Sequence, residues 1–348
     1  MSSGNRIKDN KEKNGTNNAR NRASLVSKDF FSGGIEIDTS KMYPMLVMAT
    51  MSSGKSTLIN ALLGQQILPS KNEACTAKMY SILDDDQNTV SRLYITDVNG
   101  NTTVKETNIA DELAEANNDS NVANIFIRGQ VKGVLNTDKA LLIIDTPGPN
   151  NSRDLSHEKI MKEILDKING GLILYVINAT QMGINDDKYL LDLLKRYLVK
   201  HKKSEVLFVL NKIDQIDVER ESIDQLVLSV RDYLRTNGFE RPNIIPVSAL
   251  AASVFKKVLN EETLTRSEYR SFAVYYELYM PKDFNMKSYA ITDDFPNQFE
   301  EIELKGEKYR VGDLVRAIEN TGIKVLEDNI QKAQILSSVK LKHTISIK

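Results

Sequence analysis

The sequence predicts an α/β fold: a doubly wound, mainly parallel sheet flanked by helices. Three observations carry that expectation. Five short apolar runs, Met45–Ala49, Ala140–Ile144, Leu172–Ile177, Val206–Leu210 and Asn243–Val247, lack strict in–out alternation, as strands covered on both faces do. Helix-length stretches with 3.6-residue periodicity lie between them. In Tyr189–Tyr197, for instance, Leu190, Leu191, Leu193, Leu194 and Tyr197 form one apolar stripe. Strand and helix alternate along the chain, which implies parallel pairing through crossovers. Ligands of such sheets bind at the carboxyl ends of the strands, so the loops after those runs are where function is sought.

Composition narrows the field. The chain has 348 residues with 41% hydrophobic content, enough for a sizeable core. Lys+Arg 46 against Asp+Glu 47 leaves a net charge of -1, which excludes a globally basic nucleic-acid coat. No nucleic-acid partner is expected. The single cysteine excludes an intramolecular disulfide and fits a reducing compartment. No apolar run reaches the roughly 20 residues of a membrane-spanning helix; the longest, 170–179, reads as a buried strand. The first residues lack an apolar signal core. A cytoplasmic protein is expected.

Along the chain, residues 1–28 carry seven basic and two acidic side chains and almost no large apolar ones, the composition of a disordered polar tail. The strand Met45–Ala49 then runs directly into Ala49-Thr50-Met51-Ser52-Ser53-Gly54-Lys55-Ser56-Thr57, followed by a helix from Leu58 to Leu63. Strand, Gly/Ser loop and helix together make a P-loop. Backbone amides of the loop and of the helix N-terminus cradle phosphates. Lys55 supplies a point charge for the β- and γ-phosphates, and the Ser56 hydroxyl is placed to ligate Mg2+. A fortuitous Ser/Gly turn would not arrive with both flanking elements. Ala49 stands where the motif usually opens on glycine.

Residues 68–79 read as a mobile polar switch. Thr76 is its only threonine, a residue able to ligate Mg2+ through its hydroxyl and to position an attacking water through its carbonyl. Residues 84–138 look like extra strands and loops on the sheet edge, with a short helix near Ile109–Asn117. The strand Ala140–Ile144 ends in Asp145-Thr146-Pro147-Gly148. There Asp145 can hold a Mg2+-bound water and the Gly148 amide can approach a γ-phosphate. The strand Val206–Leu210 ends in Asn211-Lys212-Ile213-Asp214. The Asp214 carboxylate can accept both guanine N1–H and N2–H, which adenine does not offer. Asn211 braces the loop, and the Lys212 stem stacks on the base. After Asn243–Val247 come Ser248 and Ala249, the Ala249 amide being within reach of guanine O6. Each motif alone is a plain strand-end turn. Four in this order, each behind a strand, predict a domain that binds GTP. Residues 260–305 are aromatic-rich and irregular and read as a packed insertion, after which helical periodicity resumes from Val311 with an interruption at Gly322.

The motif Ala49–Thr57 with Leu58-Ile59-Asn60-Ala61-Leu62-Leu63-Gly64, Leu68-Pro69 and Thr76 seven residues beyond Pro69 resembles the dynamin superfamily, and bacterial dynamin-like proteins in particular. Asp145–Asn150, Ala179-Thr180-Gln181 and Asn211–Asp214 fit the same pattern, and the likeness covers roughly 45–252. The resemblance implies a dynamin-type G domain over 41–330, with residues 331–348 as the stub of a C-terminal helix. It implies a Mg2+-dependent GTPase that dimerises through its own G domain across the nucleotide, remodels or tethers membranes through a helical stalk, and touches the inner membrane surface peripherally. By position, Lys55 binds the β/γ-phosphates, Ser56 and Thr76 bind Mg2+, and Ser52 sits by the β–γ bridge, where it offsets charge developing in transfer. Met51 occupies the place of a water-orienting glutamine in eukaryotic members and cannot hydrogen-bond usefully. The alternative expectation is therefore a GTP-binding partner module with little hydrolysis, docking on a separate stalk-bearing protein. An ATPase or kinase is disfavoured by Asp214.

Overall fold

Every apolar run of the sequence is a strand in the computed structural model, which describes residues 38–50, 52–69, 79–88, 90–146, 155–168, 170–181, 185–217, 222–280 and 301–345. In chain order the elements are β1 (Met42–Ala49), α1 (Lys55–Leu63), β2 (Tyr80–Asp84), β3 (Arg92–Asp97), β4 (Thr102–Lys105), α2 (Ile109–Asn118), β5 (Val122–Gly129), β6 (Ala140–Asp145), α3 (Leu155–Lys167) and β7 (Gly171–Asn178). Then follow α4 (Asn185–Lys200), β8 (Ser204–Asn211), α5 (Ile223–Thr236), β9 (Ile244–Val247), α6 (Ala249–Leu259), α7 (Arg266–Tyr279), the hairpin β10 (Glu301–Leu304) and β11 (Glu307–Arg310), α8 (Val311–Asn320) and α9 (Ile323–Ile345).

Nine strands form one sheet in the order β4-β3-β5-β2-β6-β1-β7-β8-β9. The run β6-β1-β7-β8-β9 is parallel throughout. β2 enters antiparallel to β6, and β3 is antiparallel to both β5 and β4. The stretch 84–138 thus supplies β3, β4, α2 and β5 as an added sheet edge.

Strand parity sorts the core into two layers, because successive side chains of a strand point to opposite faces. Met45, Val47 and Ala49 of β1, Leu141 and Ile143 of β6, and Leu207 and Val209 of β8 pack with Leu58, Ile59 and Leu62 of α1, Phe255 of α6, Leu314 of α8 and Leu326 of α9. Leu46 and Met48, Leu142 and Ile144, and Phe208 and Leu210 pack on the other face with Ile164 of α3, Leu191 and Leu194 of α4, and Val230 of α5. Both faces are therefore covered, which is why these runs carry no polar alternation.

Two expectations change. Residues 266–279 are not irregular but a regular helix, α7, whose periodicity is carried by tyrosine and phenylalanine instead of aliphatic residues: Phe272, Tyr275 and Tyr279 are buried. The boundary expected at 330/331 falls inside α9, which runs unbroken from Ile323 to Ile345 because no glycine or proline interrupts it after Gly322. The 1–28 tail, the aromatic residues within 281–300, Cys75 and most of the 68–79 switch lie outside the described residues.

Candidate functional site

The carboxyl ends of β6, β1, β8 and β9 lie at one end of the parallel run, with β7 between β1 and β8, and the candidate residues converge there. β1 ends at Ala49, which has ordinary extended backbone, so the position usually held by glycine needs no special conformation. Ser52 (φ 59°) and Gly54 (φ 82°) are left-handed. Such alternation turns consecutive amides to one side, the geometry of an anion nest. Gly54 is obligatory for a second reason: a Cβ there would stand 2.5 Å from Asn211 Nδ2. Ser53 is buried and closes the turn on itself, its hydroxyl 2.7 Å from the Thr50 hydroxyl and donating to the Thr50 carbonyl at 2.8 Å. Lys55, Ser56 and Thr57 form the first turn of α1, where the free amides and the positive end of the helix dipole favour an anion.

From β6 comes Asp145. Lys55 Nζ donates to its Oδ1, while Oδ2 is buried without a hydrogen-bond partner. Burial pushes the Asp145 carboxyl above the usual range, and the Lys55 ammonium opposes the shift. An orphaned carboxylate oxygen beside a hydroxyl-bearing helix start is a hard, all-oxygen donor set, which suits a small divalent cation or its water. No cluster of three acidic, histidine or cysteine side chains that could hold a metal occurs among the described residues. The next residue, Thr146, anchors its hydroxyl to the Val47 carbonyl at 2.8 Å and so ties the loop to β1.

Asn211, at the end of β8, braces as expected. Its Nδ2 donates to the Ser53 carbonyl at 2.9 Å, and its Oδ1 accepts from the Ala249 amide at 3.1 Å. One buried side chain thus joins the P-loop to the loop after β9. The same bond corrects an expectation: the Ala249 amide is engaged by Asn211 rather than presented to a base. Lys212 takes a left-handed conformation (φ 68°), and its Cε lies 3.7 Å from where a Gly54 Cβ would be, so its stem runs past the P-loop. Asp214 is half-buried; its Oδ1 accepts from the Ser248 hydroxyl at 2.6 Å and its Oδ2 from the Tyr275 hydroxyl at 3.4 Å. Ser248 also caps α6 by accepting from the Ala251 amide.

Of the expected residues, Ser52, Ser53, Gly54, Lys55, Ser56, Thr57, Asp145, Asn211, Lys212, Asp214, Ser248 and Ala249 share this one end of the sheet. Met51, Thr76 and Gly148 lie outside the described residues. Two contributors were not anticipated. Asn60 of α1, fully enclosed, accepts from the Ile67 and Leu68 amides at 3.1 and 2.8 Å and donates to the Leu68 carbonyl at 2.7 Å. It fixes the start of the segment that carries Thr76, and an asparagine inside an otherwise apolar helix was the available signal. Tyr275 reaches Asp214 from α7, which no local motif reveals.

The chain is similar in sequence to several known proteins. Residues 45–213 match the sequence profile of the dynamin family. GTPase Era of Borreliella burgdorferi is 30% identical over 167 residues, 46% of this chain and 51% of that protein. GTPase Der of Mycoplasmoides gallisepticum is 37% identical over 108 residues, 31% of this chain and 21% of that protein. The chain therefore spans about half, or less, of the length of these curated relatives. A solved bacterial dynamin pair aligns with 96% of this chain and 46% of its own, at 18% identity and a TM-score of 0.47.

Proposed function

We propose, from the match of residues 45–213 to the dynamin-family profile, that the chain binds GTP with Mg2+ and hydrolyses it. The observation that carries this reading is the convergence of Lys55, Asp145, Asn211 and Asp214 at one end of the parallel sheet. In the cycle we infer, the amides at 52–55 and the Lys55 ammonium hold the β- and γ-phosphates. The charge of Lys55 and the hydroxyl of Ser52 offset what develops on the bridging oxygen as the γ-phosphoryl leaves. Ser56 and Thr76 would hold Mg2+, Asp145 acting through a water, and the ion supplies neutralisation of the phosphate oxygens. Thr76 orients the attacking water through its carbonyl, because Met51 offers no hydrogen bond. Asp214 reads guanine, braced by Ser248, while the Lys212 stem covers the base.

Binding is tested by Lys55→Ala in the full chain: nucleotide affinity is expected to be lost while the circular dichroism spectrum is retained. Unchanged affinity would overturn the P-loop assignment. Equal competition by ATP and GTP would overturn the guanine assignment.

From the same profile match we further propose G-domain dimerisation across the nucleotide and a role in membrane remodelling or tethering. Met51 favours a second reading, a GTP-binding partner module with little hydrolysis. Single-turnover hydrolysis across a range of protein concentrations separates the two. Turnover rising steeply with concentration supports a dimerising GTPase, and binding without hydrolysis at any concentration supports the partner module.

A further inference from the structure

We propose that Tyr275, on α7, is a positioning residue for base recognition: its hydroxyl fixes the orientation of the Asp214 carboxylate that selects guanine. The proposal rests on the GTP-binding reading above and goes one layer further from the base. A carboxylate turns about a soft terminal torsion with broad, roughly two-fold preferences. To accept two parallel donors from one edge of a planar base, both of its oxygens must be held in the plane of that edge. Ser248 restrains one, with its hydroxyl 2.6 Å from Oδ1. The other, Oδ2, is 3.4 Å from the Tyr275 hydroxyl. Each carboxylate oxygen accepts about two hydrogen bonds, so one protein donor apiece leaves one site apiece for the base.

Tyr275 suits the task because it can neither ionise nor swing away. Burial, and after it the Asp214 charge, pushes its phenol well above the ordinary tyrosine range, so it remains a donor at neutral pH. Its side chain is buried at 8% exposure on a helix that is fixed along its length. Phe272 stands edge-on to Phe255 and to Tyr309 with ring centroids 5.8 and 5.0 Å apart. Thr265 and Glu268 close the helix start with a reciprocal capping box, and Glu268 pairs with Lys257 of α6 at 2.6 Å. At the helix end, Asn320 of α8 donates to the Tyr279 carbonyl at 2.7 Å. At 3.4 Å the hydroxyl–carboxylate contact is long, so its effect is directional more than energetic.

The test compares the full chain with Tyr275→Phe, which removes one hydroxyl and keeps the ring. Affinities for GDP, IDP and ADP are measured by calorimetry. IDP lacks the 2-amino group, so the GDP-to-IDP ratio reports how well the carboxylate meets both donors. Tyr275→Phe is expected to lower that ratio ~3- to 10-fold, the scale of an ordinary hydrogen bond, with IDP affinity changed less than about twofold. In an Asp214→Asn background the same substitution is expected to leave the ratio unaltered. An unchanged ratio in Tyr275→Phe, or equal weakening of GDP and IDP, would overturn the proposal and reduce Tyr275 to packing. Wild-type protein that fails to prefer GDP over ADP would instead overturn the guanine reading itself.

Discussion

Asn211 makes more of the site than any other single residue. Its amide satisfies a P-loop carbonyl and a β9-loop amide at once, both away from solvent. Asn211→Ala leaves both without partners, at about 1–3 kcal/mol each. The expected result is a lower urea midpoint together with weakened nucleotide binding, whereas a purely local role would leave one of the two unchanged. The four strand-end motifs were legible in the sequence because each is a contiguous run whose side chains stay near one strand terminus. The engagement of the Ala249 amide was not, since it depends on how far apart β8 and β9 end. A second residue acts far from the site. Asp84 of β2 accepts from the Val131 amide at 2.8 Å through Oδ1, but its Oδ2 is buried without a partner. Burial lifts its pKa to about 7 from 3.8, the nearby Asp86 and Asp85 adding to the shift and the Val131 bond opposing it. The folded chain then keeps a proton that the unfolded chain releases. The contribution of Asp84 is fully present below pH 3.8 and is lost as pH rises through about 7. Wild-type stability relative to Asp84→Asn should fall across that window, by up to about 1.4 kcal/mol per pH unit. Urea midpoints at several pH values check this, and a flat difference would refute it.

Among elements, α6 is the joint between the P-loop helix and the last helix. Lys256 donates to the Ala61 carbonyl at the end of α1 and to Glu327 of α9, both at 2.6 Å, and Glu327 is 1% exposed. Burial pulls the Lys256 pKa below the ordinary lysine value while Glu327 opposes that shift. Removing only the acid strands a buried cation. Glu327→Ala is expected to cost about 3–5 kcal/mol, and Lys256→Met with Glu327→Leu markedly less. Thermal or urea unfolding of the two variants decides it, with equal losses counting against a buried pair. Elements differed in how readily they could be read. Strands built from Val, Ile and Leu stood out by their apolar runs. Helix α7 did not, because Tyr269, Phe272, Tyr276 and Tyr279 keep helical spacing while charged, small, aliphatic and aromatic residues are mixed between them and blur the two faces. Its capping pair, Thr265 and Glu268, was the signal that could have revealed it.

For the whole molecule, catalysis is expected to be collective. If the G domain completes its site by pairing with a second copy, hydrolysis per molecule should climb with protein concentration and the nucleotide-loaded form should sediment as a dimer. Hydrolysis per molecule that stays constant with concentration, with a monomer in every nucleotide state, would sink that idea. The α9 helix has a mechanical consequence at this scale. Its 23 residues make a rod about 35 Å long that begins at the turn of Gly322, whose φ is 78°. It lies on the body well beyond the Glu327 pin: Ile330, Ala333 and Ser338 are buried, and Gln331 and Gln334 donate to the Leu135 and Lys139 carbonyls. A rod held at so many points shifts as one piece, so movement of α1 delivered through Lys256 and Glu327 is passed along its length instead of being absorbed by bending.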